Sequence, residues 1–331
     1  MMKIEKIRVS IGSAKILNSE FLKDPPTTCY LMTYKEGHCT ANCGFCPQAR
    51  DSYSSLEKLS RVIWPTFPFE EFLTKLKYIS PLKRFRRICI QTLNYPENFR
   101  NLIEILSQIK KVTDIPLSVA IPPMSKEKLK KLKSLGIQRV GIALDGVTPK
   151  IFEKIKGKGV NGFYNWEEHF KSLKEALEIF SNGFVSTHLI IGLGETEKEI
   201  LNQIEELNTM RILVALFAFT PIKGTMLENI KQPDITSFRK IQLARYLILN
   251  KNKILKDFTF NSEGNIIKIN INKKGLRNII ENTNAFLTSG CPDCNRPYYT
   301  SKPSGPIYNY PRNLADGEKE EIYSLLQTFV N

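Results

Sequence analysis

No apolar run in the 331-residue chain approaches the roughly 18 residues that a membrane-spanning helix needs. The opening "MMKIEKIRVS" also lacks the hydrophobic stretch of a signal peptide. Both absences predict a soluble, cytoplasmic protein with no membrane partner. There is no visible repeat, no RNP-type aromatic pair and no zinc-finger spacing, so nothing but charge speaks for nucleic acid. That charge is +15, but its lysines are dispersed along helix-like segments such as "SKEKLKKLKS" and "KIFEKIKGKG", the pattern of a solvated surface. Cysteine is scarce, seven residues. In a reducing compartment, clustered cysteines mean metal or catalysis more often than disulfides.

At 42% hydrophobic residues the chain can bury a large core. Short apolar, β-branched runs predict strands at 27–34, 86–93, 115–122, 138–145, 184–192 and 212–220. Between them lie stripes at helical spacing, such as Phe99, Leu102, Ile103, Leu106 and Ile109. Six strand–helix units predict an α/β chain whose parallel sheet curls into a partial (β/α)6 TIM-type barrel, with an open doubly wound sheet as the alternative. Chemistry in either belongs at the C-terminal ends of the strands. Past residue 226 the rhythm changes to a helix near 234–250, a hairpin in "DFTFNSEGNIIKI", a helix near 274–282 and an irregular tail. We therefore divide the chain into an N-terminal segment (1–26), a barrel (27–230) and a C-terminal extension (231–331).

The stretch "HCTANCGFCPQAR" crowds Cys39, Cys43 and Cys46 into eight positions. Three thiolates at this spacing meet at one centre only from a loop. Zinc would want a fourth ligand, with His38 adjacent. An iron–sulfur cluster held by three cysteines instead leaves one iron open to a small molecule. The spacing Cys-x3-Cys-x2-Cys, with Phe45 before the last cysteine, resembles the radical S-adenosylmethionine (SAM) superfamily. The resemblance implies a 4Fe–4S cluster on Cys39, Cys43 and Cys46 whose open iron chelates SAM. It further implies one-electron cleavage of SAM to a 5′-deoxyadenosyl radical that abstracts hydrogen from unactivated carbon, and a reductant such as ferredoxin or flavodoxin. "THLIIGLGETEKE" is similar to the family's fifth-strand SAM motif, which assigns Gly192, Gly194 and Glu195 to the cofactor; a tight strand-to-helix turn is the bland reading. "ALDG" resembles the ribose-binding strand end, with Asp145 as the acid and Ala143 where the family's biotin synthases have Asn. "FTPIKGT" resembles the adenine-side turn through Pro221.

"CPQAR" resembles the end of the biotin synthase cluster loop, and Cys89 matches the second-strand cysteine of that family's sulfur-donating cluster. A lone strand cysteine is otherwise a small buried hydrophobe. The later strand cysteines of biotin synthase are missing; Ser186 stands at one of their places. Two cysteines remain in the tail, Cys291 and Cys294 of "GCPDCNRPYY". With Cys89 they would make a three-thiolate auxiliary 4Fe–4S site facing the first cluster across the barrel mouth. The set is similar to a subunit of the two-component lipoyl synthases. This implies sulfur insertion at C6 or C8 of an octanoyl chain on a lipoyl carrier domain, with a second radical SAM subunit as partner. Competing readings are a biotin-synthase-like enzyme acting on a small molecule, a non-catalytic partner subunit, and a zinc-stabilised basic nucleic-acid-binding protein. His169 reads as a structural residue of an amphipathic helix, and Cys29, in a β-branched run, reads as buried, with a place among the auxiliary ligands as the alternative. His188, on the fifth strand, is a candidate to face the SAM pocket with no assigned role, and Arg296, Tyr298, Tyr299, Tyr308 and Tyr310 read equally as lining the channel or closing the auxiliary site, or as tail packing.

Overall fold

In the computed structural model, which describes residues 4–331, β1 (Lys6–Val9) and α1 (Ile11–Leu17) precede β2 (Thr28–Thr33). A small hairpin, β3 (Lys58–Leu59) and β4 (Val62–Ile63), leads into β5 (Thr66–Pro68) and α2 (Phe69–Ile79). Strands and helices then alternate: β6 (Arg87–Gln91), α3 (Asn98–Val112), β7 (Leu117–Ile121), α4 (Lys126–Ser134), β8 (Arg139–Ile142), α5 (Pro149–Ile155) and α6 (Trp166–Phe180). The alternation closes with β9 (Val185–Ile191), α7 (Glu197–Thr209) and β10 (Leu213–Ala218). The extension adds α8 (Ile235–Lys251), the hairpin β11 (Phe258–Phe260) and β12 (Ile266–Ile269), α9 (Lys273–Asn282) and α10 (Asp316–Leu326).

The main sheet runs β10-β9-β8-β7-β6-β2-β1-β5. Its strands β2 and β6 to β10 are parallel, whereas β1 pairs antiparallel with both β2 and β5. The edges β10 and β5 do not meet, so the barrel is partial. All six predicted parallel strands fall within their predicted runs. The antiparallel flank was not predicted, and it draws residues 6–9 of the N-terminal segment into the same sheet.

Side-chain parity on the strands sorts core from cavity. Cys29 and Leu31 of β2 join the main core under the helices, while Tyr30 and Met32 join a separate inner cluster with Trp64, Cys294 and Tyr299. On the helices, Leu102, Leu106 and Ile109 of α3 and Ile200, Ile204 and Leu207 of α7 are fully buried against the sheet. Among the described residues no helix is long and apolar enough to cross a membrane.

The tail is irregular but fixed. The buried Arg239 of α8 donates from Nη1 to the Tyr308 carbonyl (2.6 Å), and Gln242 donates to the same oxygen (3.0 Å). Asn295 accepts the Thr27 N–H (3.0 Å) and donates to the Pro25 carbonyl (2.9 Å), while the Thr28 hydroxyl donates to Asp293 O (2.8 Å). These contacts lie at the start of β2. The tail thus closes the N-terminal end of the barrel, opposite the face where the Cys39–Cys46 loop leaves the sheet. This corrects the expectation that both cysteine sets face each other across one mouth: the barrel itself lies between them.

Candidate active site

The first cysteine loop is built by backbone bonds. Cys39 donates to Gln48 O (2.9 Å), Cys46 to Cys43 O (3.0 Å) and Gly44 to Ile155 O (2.8 Å). Thr40 donates to Asn94 O (2.8 Å), and the Asn94 N–H is directed at Cys39 Sγ (3.1 Å). Asn42 closes the base of the loop, accepting the Asp51 N–H (3.0 Å) and donating to its carboxylate (2.8 Å). Cys39, Cys43 and Cys46 line one cavity of about 180 Å³. All three are free thiols. Burial pushes Cys39 up, Cys43 well up and Cys46 up to about 12, so metal binding, rather than spontaneous ionisation, is what would draw their protons off.

An adjoining cavity of about 170 Å³ shares Phe45, Cys46, Gln91, Asp145 and His188 with the first. Cys89 and Cys291 line it. Cys294 sits just behind, its Sγ 3.3 Å from the Tyr30 hydroxyl, which in turn accepts the Arg296 N–H (2.9 Å). Cys89 lies between Tyr30 and Ser118 in strand register. Burial pushes the Cys89 thiol up to about 12, with the Cys294 and Cys291 thiols adding to it. The three tail-side cysteines therefore converge, although residue 89 and residues 291–294 are about two hundred positions apart in sequence.

Three guanidinium groups border this second trio. Arg87 donates to Ser118 Oγ (2.9 Å) and the Pro292 carbonyl (3.4 Å). Arg139 donates from Nη1 to Gly183 O (2.5 Å), lines the cavity with Cys291, and has its Nε buried without a partner. Arg296 lies 4.6 Å over the Phe217 ring with Nη1 buried and unpartnered. Burial alone would lower Arg296, but Cys294, Tyr30, Cys89 and Cys291 hold it raised. Buried cations call for counter-charge, and the groups that face Arg296 here are thiols and a phenol. The donor set fits an anionic metal–thiolate centre.

Asp145 occupies the seam between the cavities in a left-handed conformation (φ 64°). Its Oδ2 accepts from Lys156 Nζ (2.7 Å), which also donates to Ala143 O (2.6 Å), and His188 Nε2 lies 2.9 Å from Oδ1. Burial alone would raise this carboxyl, yet Lys156 and His188 hold it well below the usual carboxylate range. His188 faces the cavities, as its place on the fifth strand suggested, and strand parity would also have flagged Arg139 and Arg87 as inward-facing. Lys156 lies beyond α5, where no periodic signal marked it.

Several sequence candidates fall elsewhere. Gly192, Gly194 and Glu195 line a separate groove against α8, and Pro221 lines neither cysteine cavity. Glu195 accepts the Leu193 N–H (3.0 Å), and a Cβ on Gly192 (φ 106°) would stand 2.9 Å from Pro233. Packing against Pro233 calls for glycine at 192, and a φ of 110° favours it at 194. Cys29 is buried in the core, whereas His169, buried between Phe152 and Tyr164, lines the cavity of Cys39, Cys43 and Cys46. Tyr299 lines the second cavity, whereas Tyr308 and Tyr310 pack in the core and Tyr298 bonds Asp24. His38 lines neither cavity. Among the described residues, no three His, Cys, Asp or Glu side chains gather closely enough for a single metal ion, as a structural zinc requires. A four-iron cluster gives each thiolate a different iron and so spaces them more widely.

A family model described as the radical SAM superfamily matches residues 37–207. The chain belongs to the radical SAM superfamily and is a radical SAM enzyme, which implies a 4Fe–4S cluster and SAM as cofactors. Among curated relatives it is 28% identical over 238 residues to a biotin synthase of Methanococcus aeolicus, covering 68% of this chain and 67% of that protein. A biotin synthase of Clostridium perfringens is 28% identical over 300 residues, 82% of this chain and 88% of its own length. Against a biotin synthase of Campylobacter hominis the identity is 29%, and the match spans 65% of that relative's length. The fold is shared with the crystal structure of a methylornithine synthase (TM-score 0.51, 15% identity, 70% of this chain and 67% of that one).

Proposed function

We propose that this chain is a sulfur-inserting radical SAM enzyme acting on the octanoyl chain of a lipoyl carrier protein or domain, as one subunit of a lipoyl synthase. The observation that carries the reading is the pair of cysteine trios, Cys39/Cys43/Cys46 and Cys89/Cys291/Cys294, on adjoining cavities with a shared wall. The residues fit two 4Fe–4S clusters, one on each trio. Bound there, the first cluster with SAM supplies hydrogen abstraction from an unactivated carbon, and the second supplies sulfide.

The rest is the work of the chain. Gly141 and Ser186, register partners, and Ala120 keep the bore between the trios narrow-walled but open. Phe217, Ile190 and Leu59 make it apolar and exclude water. Asp145 and His188 at the seam suit the hydroxyls of a nucleoside, and Arg87, Arg139 and Arg296 offset the negative charge of metal-bound thiolates. A neutral, unbranched acyl chain suits the bore. The named relatives favour a second reading, a biotin-synthase-like enzyme on a small molecule. Against it, Ser118 and Ser186, not cysteines, stand on the wall around Cys89.

Anaerobic reconstitution, followed by SAM, reductant and an octanoylated carrier peptide, tests the proposal. Gain of sulfur by the peptide is expected. Cys291→Ala should still cleave SAM without thiolating, whereas Cys43→Ala should lose both activities. Thiolation by Cys291→Ala would refute the tail site.

A further inference from the structure

Three loops fold together over the outside of the Cys43–Cys46 turn. Gly44 donates to Ile155 O (2.8 Å) and accepts the Leu227 N–H (3.0 Å), and a Cβ on Gly44 would stand 3.1 Å from Val160 and 3.4 Å from Leu227. Asn42 donates to Val160 O (2.5 Å), and Tyr53 N–H to Gly224 O (2.8 Å). The face these loops share carries large apolar side chains in solvent: Tyr53 is 96% exposed, Phe163 55%, Met226 54% and Ile230 41%. An exposed apolar group of this kind marks an interaction surface when cations rim it. Here Lys158, Lys223 and Lys231 are exposed on the same loops and Lys154 on the last turn of α5, and no ion pair joins them to a carboxylate among the described residues.

The nearby acids are engaged. Asp51 pairs with Arg50 (2.9 Å), Glu228 accepts the Gly224 N–H (2.6 Å) and Glu153 accepts the Lys158 N–H (3.0 Å). One aromatic pair leads inward. Phe163 touches Tyr164 with the rings tilted by 49° and centroids 4.8 Å apart, and Tyr164 lines the cavity of Cys39, Cys43 and Cys46.

We propose that this face is the docking surface for an acidic, one-electron carrier protein that reduces the Cys39/Cys43/Cys46 centre. The proposal rests on that cluster assignment, because the barrel interior is given over to SAM and substrate and electrons must enter through the wall nearest the thiols. One electron leaves the carrier and enters the centre; no bond or proton is exchanged. The free lysines steer an acidic partner, and Tyr53, Phe163, Met226 and Ile230 give it a small apolar footprint, as suits a transient electron-transfer encounter.

The test uses the full reconstituted chain and a flavodoxin as probe. Flavodoxin binding by calorimetry is compared between wild type, Lys158→Glu/Lys223→Glu/Lys231→Glu, and a control Lys130→Glu/Lys131→Glu on α4. SAM cleavage is followed with flavodoxin and, separately, with dithionite. Loss of about tenfold or more in flavodoxin affinity is expected in the triple variant alone, with dithionite-driven cleavage unchanged. Affinity of the triple variant within twofold of wild type, or an equal loss in the control, would overturn the proposal. So would loss of binding to an octanoylated lipoyl domain with flavodoxin binding intact, which would give the face to the substrate carrier. If the wild type fails to cleave SAM even with dithionite, the cluster assignment fails, and the binding comparison still judges the face.

Discussion

Lys156→Met isolates the charge network at the seam of the two cavities. Lys156 and Asp145 are each 6% exposed at the side chain and lie 2.7 Å apart. Methionine keeps an unbranched side chain but removes the ammonium, which lies 5.7 Å from the Phe152 ring centre and 5.0 Å from that of Tyr164, leaving a desolvated carboxylate. Breaking a buried pair from one side costs about 3–5 kcal/mol. Because His188 Nε2 remains 2.9 Å from Oδ1, we expect the lower end, about 3 kcal/mol at pH 7. The carboxyl of Asp145 is held below its ordinary value, so its contribution is whole above about pH 4 and fades only below it, as the pH falls toward the depressed value. Measurement at pH 7 therefore sees the full pair. Urea unfolding of the metal-free chain should show a midpoint lower by about 1 M for a slope near 3 kcal/mol/M. Asp145→Asn in the same chain removes the stranded charge, so the double variant should recover about 1–2 kcal/mol relative to additivity. A Lys156→Met midpoint matching wild type, or a strictly additive cycle, would refute the reasoning.

Tyr30→Phe removes the hydroxyl at 3.3 Å from Cys294 Sγ. Since hydrogen bonds to cluster sulfur raise the potential, the tail-side centre should become harder to reduce by roughly 40 mV for each 1 kcal/mol of differential bonding. Redox titration followed by electron paramagnetic resonance reads this, and a shift under about 10 mV would contradict it. His169, pushed down to about 3 chiefly by burial and also by Lys156, stays neutral when folded while the unfolded chain takes up a proton below about pH 6.5. Its contribution is thus present above pH 6.5 and lost as the pH falls. By pH 5 it should account for about 2 kcal/mol of lost stability, a slope that His169→Gln should lack in urea unfolding at pH 7 and pH 5. An unaltered pH slope in that variant would contradict the assignment.

The parallel strands were legible because each is a short β-branched run followed by a helix with an apolar stripe, as in Ile88–Ile90 before Leu102–Ile109. The Cys39–Cys46 loop was legible because three ligands lie within one turn of chain. The strand β1 was hidden: "KIRV" is four residues long, and its pairing with β2 and β5 is set by contacts across about twenty and sixty positions. The end of the barrel closed by the tail was equally hidden, because the Asn295 side chain and the Asp293 carbonyl hold backbone and hydroxyl groups of residues 25–28 that no residue pattern marks. Gly192, Gly194 and Glu195 show the opposite case. They match a cofactor motif and line a groove apart from the cysteine cavities, where the approach to Pro233 calls for glycine at 192.

The most direct test of two separate inorganic centres is an iron and labile-sulfide count on the anaerobically reconstituted chain and on its Cys39→Ala/Cys43→Ala/Cys46→Ala variant. About eight irons per wild-type chain and about four in the variant, held by Cys89, Cys291 and Cys294, are predicted for two four-iron clusters. A folded variant that keeps neither iron nor sulfide would contradict the account.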